Sequence, residues 1–280
     1  MGVPASRVSL NTATVREQWD LRQCIEGCAR HGIGAIAPWR DKLAECGVEE
    51  AARMIADHGL KVSGLCRGGS FPAADAAGLE AALDDNRRAV DEAAGIGAAC
   101  LVLVVGGMPQ GSKDIRLARR QVEDGIGRTL EHARAAGVPL AIEPLHPMYA
   151  ADRACMNTTR QALDICDALA DGPLDGGIGL ALDTYHTWWD PEIEAQIARA
   201  GGARLLGFHV CDWLVPTTDL LLDRGMPGDG VIDIPRLRGL VEAEGYAGAV
   251  EVEIFSAHDW WRRDPEEVLT VLVERCAAVV

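Results

Sequence analysis

Residues 99–143 read ACLVLVVGGMPQGSKDIRLARRQVEDGIGRTLEHARAAGVPLAIE, and this stretch contains a strand, a helix and a second strand. The apolar runs at 99–105 and 139–143 are short and bounded by turn residues, which is typical of buried strands. The segment between them has helical spacing and ends at Gly137, a common residue just beyond a helix C-terminus. A strand, a helix and a second strand together predict parallel pairing with a right-handed crossover.

The same alternation extends over the whole chain. A segment with helical spacing follows each candidate strand, and these strands lie at 7–11, 34–38, 61–66, 99–105, 139–143, 178–183, 204–210 and 249–255. Eight such units in 280 residues predict a closed (β/α)8 TIM barrel, with residues 1–280 forming a single domain. An open, doubly wound sheet is the alternative, but the first turn, SLNTATVR, lacks the glycine-rich fingerprint often found there.

Composition limits the possible partners. The formal net charge is −15, which disfavours nucleic acid or an anionic membrane because both require basic surfaces. No apolar run is long enough to predict a signal peptide or a membrane span. The nine cysteines lack metal-ligand spacing, and we interpret them as reduced thiols. We therefore expect a cytoplasmic protein that binds neither nucleic acid nor membrane.

A TIM barrel places its active residues at the C-terminal ends of its strands. Four consecutive predicted strands end in groups that can bind a metal ion, namely Glu143, Asp183, His209 and Glu253. Because adjacent parallel strands lie about 4.8 Å apart, the four side chains can converge on one point. Three carboxylates and an imidazole suit one divalent ion; we expect Mn²⁺, with Mg²⁺, Co²⁺ and Zn²⁺ as alternatives.

Glu251 poses a separate question, because it lies on the same face of its strand as Glu253. A buried carboxylate is costly unless it is paired or holds a metal. We expect Glu251 to lie one layer deeper than the metal ligands and to pair with a basic or amide group. In the alternative, the strand is shifted by one residue and Glu251 itself is the ligand.

The segments IEPLHP, LDTYH, FHVCDW, PGDGVIDI and VEVEIF occur in this order. Together they resemble the sugar phosphate isomerase/epimerase group of the xylose isomerase-like TIM barrels. The resemblance implies that the same four residues hold the metal and that Glu143 and Glu253 also form the acid–base pair on opposite faces of the substrate. It matches His186 and Arg224 to substrate-contacting residues, and we place His186 in the catalytic set.

The sequence departs from the group at one position. Its ketose 3-epimerases carry a second glutamate six residues after the first ligand, where this chain has Tyr149. The same loop contains His146, and we expect this imidazole to contact the substrate.

Other candidate substrate-binding residues follow the first three predicted strands or the seventh predicted strand. Arg67 follows the third strand and could bind an acidic or phosphorylated substrate, whereas Asp212 is a substrate ligand or supports one. Asn11 and Trp39 follow the first two strands and could line the pocket. Six tryptophans fall in loops at this rim, where they suit sugar rings or a subunit interface: Trp39, Trp188, Trp189, Trp213, Trp260 and Trp261.

These features favour a divalent-metal-dependent sugar isomerase or epimerase that abstracts a proton next to a carbonyl through a metal-stabilised enediolate. The alternative is a lyase of the same fold, a dehydratase or an eliminase acting on a keto-sugar or 3-keto-glycoside. The expected partner is a sugar or keto-sugar, and the protein could also form a homo-oligomer or bind a small partner subunit. A DNA-repair endonuclease is disfavoured by the acidic charge, and a silent scaffold by the complete ligand set.

Overall fold

The structure, a computed structural model, describes residues 2–170 and 177–280. Within these residues the chain forms eleven strands: β1 Val8–Asn11, β2 Ala35–Ala37, β3 Lys61–Val62, β4 Leu65–Gly69, β5 Leu101–Val104, β6 Leu140–Ile142, β7 Ile178–Asp183, β8 Leu205–Val210, β9 Asp212–Trp213, β10 Arg224–Gly225 and β11 Val250–Val252. Nine of them form one parallel sheet in the order β3-β2-β1-β11-β8-β7-β6-β5-β4, and β9 and β10 form a separate antiparallel pair.

The barrel closes through its third strand position. The strand predicted at 61–66 is interrupted: β3 pairs with β2, whereas β4 pairs with β5 at the opposite end of the sheet. The Ser63 amide still donates to Ile36 at 3.1 Å, but the Leu65 amide donates to Cys100 at 3.0 Å. One stretch of chain thus contacts both sheet ends, so the predicted closed barrel is the observed fold.

Helices surround the sheet, and most begin at a side chain that caps them. Asp114 accepts hydrogen bonds from the Arg116 and Leu117 amides, and the helix that follows ends at Gly137, whose φ of 71° favours glycine. The helices are α1 Leu21–Arg30, α2 Arg40–Ala44, α3 Val48–Asp57, α4 Ala76–Gly95, α5 Ile115–Ala136, α6 Thr159–Leu169, α7 Thr184–Thr187, α8 Ile193–Arg204, α9 Ile234–Ala243 and α10 Pro265–Val279.

Small side chains occupy part of the barrel interior. Cys66, Cys100, Val102, Ala141 and Ala181 form a cluster separate from the larger apolar layer between sheet and helices. Two residues before His209, a Cβ on Gly207 would lie 3.0 Å from the His209 Nε2 atom. The small residues in this layer therefore leave room for the imidazole.

No helix in the described ranges, 2–170 and 177–280, combines the length and the apolar character needed to cross a membrane.

Candidate metal centre

The four predicted metal ligands converge at the C-terminal end of the barrel. Asp183 ends β7 and pairs in register with His209 of β8, while Glu143 and Glu253 directly follow β6 and β11. One candidate ligand atom from each residue lies within 4.8 Å of those of the other three. All four are buried, with at most 5% of any residue exposed. The geometry is that of a site able to enclose one ion.

The electrostatics of this cluster fit a bound cation. Burial raises the pKa of Asp183 to about 6 and the pKa of Glu253 to about 7, and the Glu143 carboxylate adds to both shifts. Burial alone would lower the pKa of His209, but Glu251 and Glu143 outweigh it and raise this pKa to about 10. Crowded buried carboxylates resist ionising together, and a divalent ion among them supplies the compensating charge.

Glu251 has an amide partner, as expected. The Asn11 Nδ2 donates to Glu251 Oε1 at 2.7 Å and to Glu253 Oε1 at 3.0 Å, and the Ser63 hydroxyl donates to Glu251 Oε2 at 2.7 Å. Glu251 of β11 pairs in register with His209 of β8, because adjacent strands of the barrel are staggered. Glu251 therefore lies at the height of His209 and not, as expected from the sequence, one layer below it. Both Glu251 oxygens are thus engaged by protein donors, and the convergent cluster contains Glu253 instead.

Arg224 lies between the metal cluster and the pocket. Its Nη1 is 3.3 Å from Asp183 Oδ2 and 3.2 Å from Glu253 Oε2, and its guanidinium lies between the rings of Tyr185 and Phe255 at 4.4 and 4.9 Å. Its buried Nε has no hydrogen-bond partner in the described part of the chain. Burial and the Arg224 charge lower the pKa of His186 well below its usual value, so this imidazole is neutral.

A pocket opens above the cluster, with about 380 Å³ of empty space when the open solvent at its mouth is included. Its lining combines the two candidate glutamate ligands with cationic and aromatic side chains: Trp39, Arg67, Glu143, Tyr149, Arg153, His186, Arg224, Glu253 and Phe255, beside Cys66, Val102, Val104, Leu145 and Leu221.

The sequence model of a family described as "Xylose isomerase-like TIM barrel" matches residues 25–271. The chain belongs to this family. The predicted resemblance is therefore confirmed at the level of family and fold.

Individual relatives extend this comparison. A crystal structure of a protein from Sinorhizobium meliloti 1021 is 61% identical, has a TM-score of 0.93 and covers 96% of both chains. An inosose isomerase from Bacillus velezensis is 24% identical, and the match covers 98% of this chain and 97% of that protein. A structure of the IolI protein with a bound zinc atom is 21% identical, with a TM-score of 0.83 and 98% of both chains covered.

Among the predicted substrate-binding residues, Arg67, Trp39 and Arg224 line the pocket of this chain. The predicted catalytic residue His186 lines it as well. His146 does not: it accepts a hydrogen bond from the Met148 amide and packs against Trp189 and Trp213. The structure therefore places this imidazole in the wall behind the pocket.

Two further candidate substrate-binding residues, Asp212 and Asn11, form hydrogen bonds with other parts of the protein. Asp212 is buried and accepts hydrogen bonds from the amides of Trp213, Gly228 and Ile232, so it organises the PGDG loop. Asn11 is fully buried; besides its contacts to the two glutamates, its Oδ1 accepts from the Trp39 indole at 2.9 Å. Neither side chain lines the pocket, and each holds other parts of the site in place.

The tryptophan rim is more dispersed than expected. Trp39 alone of the six lines the pocket. Trp260 is 3% exposed, and the Trp261 indole donates to the Ala13 carbonyl. Trp188 packs against Trp213. These loop tryptophans thus pack between loops. Their positions in the sequence are equally compatible with packing between loops and with lining the pocket.

Arg153 and Tyr149 are pocket residues that sequence reasoning did not assign. Both lie in the loop after β6, the loop that begins with the candidate ligand Glu143. Their position in that loop is a usable signal, since βα loops build the active face of a barrel.

Proposed function

We propose that this chain is a divalent-metal-dependent isomerase or epimerase that transfers a proton next to the carbonyl of a small sugar or keto-sugar. The observation that carries the proposal is the convergence of four buried ligands, two of them glutamates that also line the pocket. The full-length match to an inosose isomerase supports the reaction class.

The roles follow from the contacts. When bound, a divalent ion supplies positive charge beside the carbonyl oxygen and stabilises the negative charge that develops there. Glu143 and Glu253 come from strands separated by β7 and β8, so in the proposal they flank the substrate and exchange its proton. Arg224 and the neutral His186, whose Nε2 lies 3.2 Å from the Arg224 Nη2, both line the pocket and in the proposal orient substrate oxygens.

The identity of the ion is part of the proposal. The carboxylate-rich donor set favours Mn²⁺, and the zinc in the IolI structure makes Zn²⁺ the first ion to compare with it.

One observation favours the lyase alternative. Tyr149 lines the pocket at the position where the ketose 3-epimerases of this group carry a second glutamate. A phenol there lacks the charge of that glutamate, and loss of a neighbouring substituent after proton removal would give elimination.

The test combines metal analysis with isotope exchange. Protein purified without added metal, or loaded with Mn²⁺, should hold about one divalent ion per chain. It should incorporate deuterium from D₂O into an inosose or ketose next to the carbonyl. Glu253→Gln should lose both properties, whereas Glu123→Gln, on the exposed face of α5, should retain both. Release of water or an aglycone would identify a lyase; absence of any bound ion would refute the metal mechanism.

A further inference from the structure

Arg67 and Arg153 lie where two cavities meet. Both side chains line the pocket above the metal cluster, and both also line an adjoining open cleft of about 700 Å³. The cleft is completed by Ser70, Pro72, Gly106, Gly107, Met108 and Asp152. The two guanidinium groups therefore border the route from the metal centre to the outside.

Aromatic rings hold these arginines from one face. The Arg67 guanidinium carbon lies 5.9 Å from the centroid of the Trp39 ring, and that of Arg153 lies 5.5 Å from the centroid of the Tyr149 ring. Such contacts use the flat face of a guanidinium and leave its in-plane N–H donors available. Within residues 2–170 and 177–280, neither side chain forms an ion pair or donates a hydrogen bond, although Asp152 lines the same cleft.

The two cations are also close enough to oppose each other. Burial is the largest influence lowering the pKa of Arg67, and the charge of Arg153 is the next, ahead of any carboxylate. The nearby Glu143 and Glu253 act on Arg67 more weakly, and Arg224 already contacts Glu253. Two adjacent cations without a carboxylate partner in a concave site are unfavourable until an anion bridges them.

We propose that Arg67 and Arg153 form an anion subsite that binds an oxyanion group of the substrate, a carboxylate or a phosphate ester. This inference rests on the proposed function of the same pocket, and it narrows the substrate to an acidic or phosphorylated keto-sugar. Planar guanidinium forks suit both groups, because each presents oxygens that accept paired N–H donors. The carbonyl end of the substrate then lies between Glu143 and Glu253, and its anionic end lies towards the cleft.

The experiment measures anion binding to the full-length, Mn²⁺-loaded protein by calorimetry at constant ionic strength. The probes are inorganic phosphate and acetate, followed by D-fructose, D-fructose 6-phosphate and 5-keto-D-gluconate. The variants are Arg67→Met and Arg153→Met. Arg120→Met is the matched control, because Arg120 is exposed on α5 and lies outside both cavities. Arg67→Lys retains the positive charge but removes the planar guanidinium and its paired N–H donors.

We expect phosphate or acetate to bind the wild type, and each methionine variant to weaken it by at least about tenfold, as for loss of a charge-assisted hydrogen bond. Arg120→Met should match the wild type, and Arg67→Lys should fall between. The stronger anion identifies phosphate or carboxylate, and the corresponding sugar probe should bind more tightly than D-fructose.

Absence of binding by both anions, or binding that both methionine variants retain, would overturn the proposal, since retained binding belongs to the metal ion or is adventitious. Metal content of the same samples separates this outcome from failure of the proposed function. A chain without a divalent ion that still binds anions through these arginines would keep the subsite and refute the metal-dependent reaction.

Discussion

Asn11→Ala should weaken the metal centre without removing any metal ligand. Asn11 is fully buried, donates to Glu251 and Glu253 at 2.7 and 3.0 Å, and accepts from the Ala13 amide and the Trp39 indole. A hydrogen bond to a charged group contributes about 1.5–3 kcal/mol. Water entering the vacated space offsets part of this loss, so we expect unfolding to become easier by about 3 kcal/mol.

Metal affinity should fall as well, because Asn11 orients the Glu253 carboxylate. Loss of such a supporting residue typically weakens metal binding by about 10–100-fold. Stability would be measured by urea denaturation of the metal-free protein, and metal affinity by competition with a chelator.

Asn86→Ala is the matched control. Asn86 is also fully buried and bonds the backbone of Gly69 and Ala82, but it contacts no metal ligand. It should cost a similar amount of stability, about 1 kcal/mol for each of its three bonds, and leave metal affinity unchanged. Equal metal affinity in Asn11→Ala and the wild type would refute the positioning role, whatever the loss of stability.

Three further predictions concern the site and the outer surface. Gly207→Ala should weaken metal binding, because the added Cβ would lie 3.0 Å from His209 Nε2; the chelator assay would show whether the imidazole is displaced. An added divalent ion at 100 times its dissociation constant should stabilise the native protein by about 2.7 kcal/mol, measured as a higher unfolding midpoint. Asp167 pairs with Arg204 and Arg199, which hold the pKa of its carboxyl below the usual value. The ionised Asp167 carboxylate therefore stabilises the folded protein above the pKa that this group has in the unfolded chain. This stabilisation is lost as the pH falls through the lower pKa of the folded state. Asp167→Asn should thus lower the free energy of unfolding by less than about 1 kcal/mol at pH 7. In acid denaturation, the difference from the wild type should disappear at low pH.

The strands and the metal cluster could be predicted because each depends on local pattern plus one rule of barrel geometry. All eight predicted strands contain an observed one, although the third is interrupted, and the cluster follows from the residues at the C-terminal ends of the last four. The interruption near Ser63 could not be predicted, because it depends on which neighbours the two halves of that strand meet at closure. The same holds for His146, whose aromatic partner Trp213 comes from another loop, and for Asp212, whose amide partners Gly228 and Ile232 lie 16 and 20 residues further along the chain.

The buried Glu251 is best explained by the strands it connects. Its carboxylate accepts hydrogen bonds from Asn11 of β1 and from Ser63, which lies at the break in the third strand, and Ser63 also contacts Ser9 at 2.7 Å. β1 and β11 are neighbours within the sheet, whereas Ser63 reaches them from the third strand position, where the sheet closes. Replacing a buried charge by apolar packing often costs little stability, so stability alone does not account for Glu251. The polar network instead joins β11 to β1 and to the third strand, and through Asn11 it also holds the Glu253 carboxylate that meets the other three candidate ligands.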